Sequence, residues 1–214
     1  MSVIGCVFAG GKGRRLGGRD KSKLVLAEVP LWKHVTDRLS PMVDRLIVTG
    51  ATAPDWIGEV SGCTFVPDVE LADEPIGPAG GLFAGLEWGL AQTGSNARLL
   101  TVPVDAPFFP KDLYEKLATG LGTAPAALAE TDARLQPAFG LWSCAVAPNV
   151  RKSVESQDFA LHVIARRIGA TSVRLEVEEN AFLNINTPED LKDAEWWFGG
   201  DLSVKISKLK QKSK

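Results

Sequence analysis

Residues 3–8, Val-Ile-Gly-Cys-Val-Phe, form a short apolar run that breaks at Ala9-Gly10-Gly11, which predicts a buried strand leaving a sheet edge and turning. Leu24-Val25-Leu26 is apolar again, and after Pro30 the residues Leu31, Trp32, Val35, Leu39 and Met42 recur at near-helical spacing, as in an amphipathic helix that packs on a sheet. Residues 45–48 read as a second strand ending at Thr49-Gly50, and Phe65-Val66 as a third ending at Pro67-Asp68. The run Leu82, Phe83, Leu86, Leu90 is helix-like, and residues 99–104 are an apolar strand stopped by Asp105-Ala106-Pro107. Helical patterns follow over 111–118, 146–154 and 159–168, with strands over 126–129, 138–142 and 172–177. Thr187, Pro188 and Asp190 suit the N-cap and first turn of a last helix. Strands alternating with helices predict an α/β fold, whose ligand groups gather at the strands' carboxyl ends.

Charge sharpens that picture at one place. The 214 residues carry a formal charge of -2, yet Lys12, Arg14, Arg15, Arg19, Lys21 and Lys23 crowd a glycine-rich stretch opposed only by Asp20. Glycines 10, 11, 13, 17 and 18 let backbone N–H groups approach a ligand, so the stretch following the first strand reads as an anion trap for phosphates. A Walker A loop is excluded, because Gly13 leads to Gly18-Arg19-Asp20 instead of Gly-Lys-Ser/Thr. The dinucleotide fingerprint fails as well, since Leu16 stands where its third glycine belongs.

Composition sets the outer bounds. Hydrophobic residues make up 45% and charged ones 23%, as in a folded α/β protein of one domain, here read as residues 1–198. Residues 199–214 open with Gly199-Gly200 and continue as a Lys-rich tail expected to be disordered. No apolar run approaches the ~18 residues of a membrane helix, and the first apolar stretch is too short for a signal peptide, so the expectation is a cytoplasmic protein without membrane or nucleic-acid partners. Cys6, Cys63 and Cys144 are odd in number and far apart, and His34 and His162 are the only histidines, which leaves no disulfide framework, histidine-rich metal site or Cys-His nucleophile.

The opening stretch Phe8-Ala9-Gly10-Gly11-Lys12-Gly13-Arg14-Arg15-Leu16-Gly17-Gly18-Arg19-Asp20-Lys21, continued by Leu24-Val25-Leu26 and Pro30-Leu31, resembles the signature of nucleotidyltransferases that load a nucleoside monophosphate onto a phosphorylated acceptor. The double glycine after the alanine and the Gly-Gly-x-Asp-Lys ending make it most similar to the molybdenum cofactor guanylyltransferases. Pro103-Val104-Asp105-Ala106-Pro107-Phe108-Phe109-Pro110 meets the family pattern P-x-D-x-P-x-x-P, and Phe182-Leu183-Asn184-Ile185-Asn186-Thr187-Pro188-Glu189-Asp190-Leu191 meets F-x-N-x-N-T-P-E-D/E-L. Gly77-Pro78-Ala79-Gly80-Gly81 and Gln136-Pro137 are looser matches. Thr49 departs from the pattern, where the family commonly has asparagine.

The resemblance implies a three-layer Rossmann-like nucleotidyltransferase fold, GT-A-like, with a mostly parallel central sheet. It implies a Mg²⁺-dependent transfer of GMP from GTP to molybdenum-bound molybdopterin, giving the guanine dinucleotide cofactor and pyrophosphate. Lys21, Asp105 and Arg15 are the implied catalytic residues, with Asp105 as the Mg²⁺ ligand. Phe8, Ala9, Gly10, Gly11, Lys12, Gly13, Lys21, Thr49, Asp68, Gly77, Gly81, Asp105, Asn184 and Asn186 are the implied binding residues. Gln136-Pro137 is read as lining the acceptor site, and molybdoenzyme chaperones and cofactor-insertion proteins as partners. Asp105 supports a metal by its own chemistry too, since a lone acid at the end of a buried strand is costly without a positive partner. Asn184 and Asn186 are placed on a strand end, facing the same side. A cytidylyltransferase, a sugar-phosphate nucleotidyltransferase and a non-catalytic nucleotide-binding regulator are the alternatives.

Overall fold

The computed structural model describes residues 1–10, 20–71, 74–132, 134–178 and 180–199. Its centre is a sheet with seven strands among the described residues. The buried run Val3–Phe8 is β1, and it pairs in parallel with β2 (Arg45–Gly50), which pairs in parallel with β3 (Cys63–Pro67). On the other side of β1 lies β4 (Arg98–Pro103), again parallel, with Phe8 opposite Pro103. Beyond it come β5 (Ala126–Glu130) and β6 (Leu135–Ser143), with β6 antiparallel to both β4 and β5, and β7 (Thr171–Arg174) pairs in parallel with β5. The spatial order β7-β5-β6-β4-β1-β2-β3 puts β1 near the middle, with its carboxyl end between those of β2 and β4.

Alternation along β1 sends Val3 and Val7 to one face and Ile4, Cys6 and Phe8 to the other. The first face packs on α1 (Leu31–Leu39) through Trp32, Val35 and Leu39. The second packs on α2 (Pro78–Thr93) through Leu82, Phe83 and Leu86. α3 (Leu113–Leu121) joins α1's side, while α4 (Ala147–Glu155) and α5 (Leu161–Ile168) join α2's side, which completes three layers. A small third cluster, Leu26, Leu31, Ile185 and Ala194, binds the hairpin strands Val25–Leu26 and Val29–Pro30 to α6 (Pro188–Gly199).

The apolar pattern located these elements, with differences at the margins. The strand expected over 172–177 is only Thr171–Arg174. Residues 183–186 are irregular instead of a strand end. Their backbone donors are diverted: Ile185 N–H reaches the Asp105 carbonyl at 2.8 Å, and the N–H groups of Asn186 and Thr187 both go to Asp190 Oδ2 at 2.8 Å. Asp190 N–H in turn donates to Thr187 Oγ1 at 3.1 Å, a reciprocal cap that starts α6 at Pro188 and leaves no ladder for a strand to join. The cysteines form no disulfide; Cys6 and Cys144 are buried and Cys63 is half-buried. No described helix is long and apolar enough to cross a membrane. The residues of the Lys-rich tail from 200 onward lie outside the described residues.

Candidate active site

The carboxyl ends of β1, β2, β3 and β4 are stitched together where the chain leaves the sheet. Ala9 N–H donates to the Thr49 carbonyl at 2.8 Å, Asp68 N–H to the Gly50 carbonyl at 2.9 Å, and Val104 N–H to the Phe8 carbonyl at 3.1 Å. Phe8, Ala9 and Gly10 therefore stand with Thr49 and Asp68 on one side and with Asp105 on the other.

On the first side, Asp68 is wedged between two glycines. A Cβ on Gly10 would lie 3.2 Å from Asp68 Oδ2, and one on Gly81 would lie 3.1 Å from Asp68 Oδ1, 2.5 Å from Thr49 Oγ1 and 3.1 Å from the Phe8 ring. Only glycine leaves this cradle open. Asp68 Oδ1 is buried with no hydrogen-bond partner among the described residues, an arrangement costly enough to need a function. Burial raises the carboxyl pKa to about 6, against the lowering effect of the Thr49 hydroxyl. Thr49 itself is 1% exposed, so its hydroxyl is a floor beneath the cradle. Gly77 takes a left-handed φ of 64° before Pro78 starts α2, and the first N–H groups of that helix stand beside the same cradle.

On the second side, Lys21 Nζ lies 2.9 Å from Asp105 Oδ2 and also donates to Asn186 Oδ1. Both charged side chains are largely buried, at 19% and 16% exposure. The positive partner that the strand-end acid demands is thus supplied by the protein. Asp105 is positioned twice, by its place just past β4 and by its carbonyl accepting from Ile185. Lys21 opens a short helical turn, Lys21–Lys23, capped by Asp20, whose Oδ1 accepts from Ser22 N–H at 2.9 Å.

Asn184 and Asn186 part company. Asn186 turns to Lys21, whereas Asn184 lines a groove of about 400 Å³ with Pro78, Gln136, Pro137 and Phe159. The structure thus gathers Phe8, Ala9, Gly10, Thr49, Asp68 and Gly81 into one cradle, with Gly77 at the start of the neighbouring helix. It gathers Lys21, Asp105 and Asn186 into a charged cluster and sets Asn184 apart with Gln136-Pro137. Gly11, Lys12, Gly13 and Arg15 lie outside the described residues.

Among the described residues no three His, Cys, Asp or Glu side chains converge as a metal cage. Asp105 with Asn186 Oδ1 offers hard oxygen donors of the kind Mg²⁺ takes when phosphate and water complete its shell. Sequence reasoning missed Ser22, whose hydroxyl donates to Asp20 Oδ1 at 2.6 Å, and Trp56, whose indole N–H donates to Ser22 Oγ at 2.8 Å. No motif marks either residue; Ser22 follows Lys21 in the chain, and only the fold brings Trp56 to it.

Residues 5–171 match the family described as the MobA-like NTP transferase domain. A molybdenum cofactor guanylyltransferase from Cereibacter sphaeroides is 40% identical over 195 residues, covering 91% of this chain and 96% of that protein. One from Bradyrhizobium sp. is 34% identical over 200 residues, covering 91% and 92%. Among solved structures, molybdopterin-guanine dinucleotide biosynthesis protein A from Archaeoglobus fulgidus superposes with a TM-score of 0.74 at 21% identity, over 92% of this chain and 100% of that one. That likeness shows the shared fold.

Proposed function

This chain belongs to the MobA-like NTP transferase domain family, and we propose that it transfers GMP from GTP to molybdenum-bound molybdopterin, releasing pyrophosphate and forming the guanine dinucleotide cofactor. The observation that carries the reading at the site is Lys21, fixed between Asp105 and Asn186 at the exit of β1 and β4, beside a glycine-lined cradle with a carboxylate oxygen that no described residue hydrogen-bonds.

The chemistry asks for little covalent help. An oxygen of the acceptor's terminal phosphate attacks the α-phosphorus of GTP, a new P–O bond forms, and the bridging bond to the β-phosphate breaks as pyrophosphate leaves. Two anions meet and charge grows on the leaving group, so pre-placed positive charge is the main requirement. Lys21 supplies it at the α-phosphate in this reading. Backbone N–H groups of the stretch from Gly10 to Gly13, with Lys12 and Arg15, hold the β- and γ-phosphates. The attacking phosphate is already ionised, so no protein nucleophile or strong base is needed. Asp105 and Asn186 would hold Mg²⁺ with oxygens that they share with Lys21, and the ion would supply neutralisation of phosphate charge.

Asp68 is suited to the base. Its buried Oδ1, without a partner among the described residues, is an acceptor for N–H donors, and guanine presents such an edge in its ring N–H and amino group. The groove at Asn184, Gln136 and Pro137 is left for the acceptor, reached from the same sheet edge by way of Pro78.

The reading is tested by pyrophosphate release from GTP, CTP, ATP and UTP, each with Mg²⁺, with and without molybdenum-loaded molybdopterin. GTP-selective, acceptor-dependent release is expected. Preference for CTP would make the protein a cytidylyltransferase, and GTP binding without release in the presence of acceptor would leave a nucleotide-binding regulator.

A further inference from the structure

We infer that Trp56 and Ser22 are positioning residues for Lys21: a buried indole N–H anchors the short turn whose first residue carries the active-site charge. The inference rests on the role given above to Lys21. Ser22 is the middle residue of that turn and is 2% exposed, so the turn is pinned by its centre while Lys21 reaches Asp105 and Lys23 reaches Asp55. The Ser22 hydroxyl is engaged both as donor and as acceptor. It donates to Asp20 Oδ1 at 2.6 Å and accepts from Trp56 Nε1 at 2.8 Å.

Trp56 is itself 2% exposed. Its ring lies flat on that of Trp32, with centroids 5.0 Å apart and planes within 2°, and Trp32 belongs to α1, packed on the sheet. The residue before it, Asp55, pairs with Lys23. The short helical turn Asp55–Glu59 therefore grips the Lys21–Lys23 turn at two points, one buried and one exposed. Rigidity passes from the sheet through Trp32, Trp56 and Ser22 to the backbone of Lys21. A charge meant for one phosphate gains from that support, because a displacement of about 1 Å costs on the order of a hundredfold in rate.

The test uses Trp56→Phe, which keeps a stacking ring and removes the donor, and Ser22→Ala as the second variant should the first fail to fold. Two readouts are taken. Acetic anhydride labelling of each lysine in the ligand-free protein, read by mass spectrometry, is expected to rise about tenfold at Lys21 relative to Lys33, which sits half-exposed on α1. In GMP transfer, kcat is expected to fall about tenfold with the KM for GTP changed less than about twofold, and in a Lys21→Ala background the same substitution should cost nothing more.

Unchanged Lys21 labelling, even with a lowered melting temperature, overturns the inference and leaves Trp56 a core residue only. Equal slowing in the wild-type and Lys21→Ala backgrounds overturns it too. If the wild-type protein releases no pyrophosphate from GTP, the proposed function fails, and the labelling still decides the positioning claim on its own.

Discussion

At Asp68 stability and binding pull in opposite directions. Its carboxyl titrates near 6 because burial disfavours the charged form. From the ordinary aspartate value up to about 6, the folded protein therefore holds a proton that the unfolded chain has released, and stability falls as pH rises through that window. The penalty is complete above about 6 and gone below the ordinary value. Burial is partial, so the penalty is smaller than for a fully enclosed carboxylate. Asp68→Asn is predicted to raise the melting temperature of the ligand-free protein well above pH 6, with the gain vanishing toward about pH 4. The same substitution should weaken GTP binding by about tenfold or more, as expected when a charged acceptor is lost. In the wild type, GTP affinity should decline as pH falls below 6, the sign opposite to that of stability. Calorimetric titration and melting curves over the same pH series check both, and parallel trends would refute the assignment.

Among the elements, α2 shows how a sequence pattern can be read correctly in kind and wrongly in emphasis. The apolar positions Leu82, Phe83 and Leu86 do pack against the sheet. Close approach, however, also belongs to glycines four residues apart. Beyond Gly81 over the cradle, a Cβ on Gly85 would come within 3.0 Å of Leu99, and one on Gly89 within 2.7 Å of Cys144 Sγ and 3.0 Å of Ile4. This stripe brings the helix low enough for its amino end to border the site. Gly89→Ala overpacks a rigid core and should cost about 1–3 kcal/mol of stability while leaving the KM for GTP unchanged. Gly81→Ala strikes Thr49, Asp68 and Phe8 together, so it should raise that KM markedly for a comparable loss of stability. Denaturant unfolding beside steady-state kinetics separates the two. The last helix tells a similar story: its Thr-Pro-Glu-Asp start was legible from capping rules, whereas the divergence of Asn184 and Asn186 was not, because it depends on Asp190 and Asp105 claiming backbone groups from outside the segment.

For the whole molecule, the alternation of apolar strands and amphipathic helices made the layered α/β architecture legible, and the turn signals marked where the strands end. The seat of the antiparallel strand β6 between β4 and β5 was not legible, since pairing partners far apart in sequence leave no local trace. At the site, several of the residues singled out in the sequence did come together: Phe8 and Gly10 with Asp68 and Gly81, and Lys21 with Asp105. What stayed hidden was the division of labour. The sequence offered Asp105 as an acid in search of a cation, and the fold answers with a lysine from the other end of the glycine-rich stretch. Trp56 and Ser22 stayed hidden because a buried hydrogen bond between residues 34 apart has no periodicity.

The most direct measurement follows the label in [α-³²P]GTP during incubation with Mg²⁺ and molybdenum-loaded molybdopterin, for the wild-type protein and for Asp105→Asn. The wild type is predicted to carry the label into a pterin dinucleotide while unlabelled pyrophosphate is released in equal amount. Asp105→Asn should slow that transfer by at least a hundredfold, roughly the loss of one preorganised electrostatic contact. Label remaining on free nucleotide in the wild type, or full transfer by Asp105→Asn, would contradict the account.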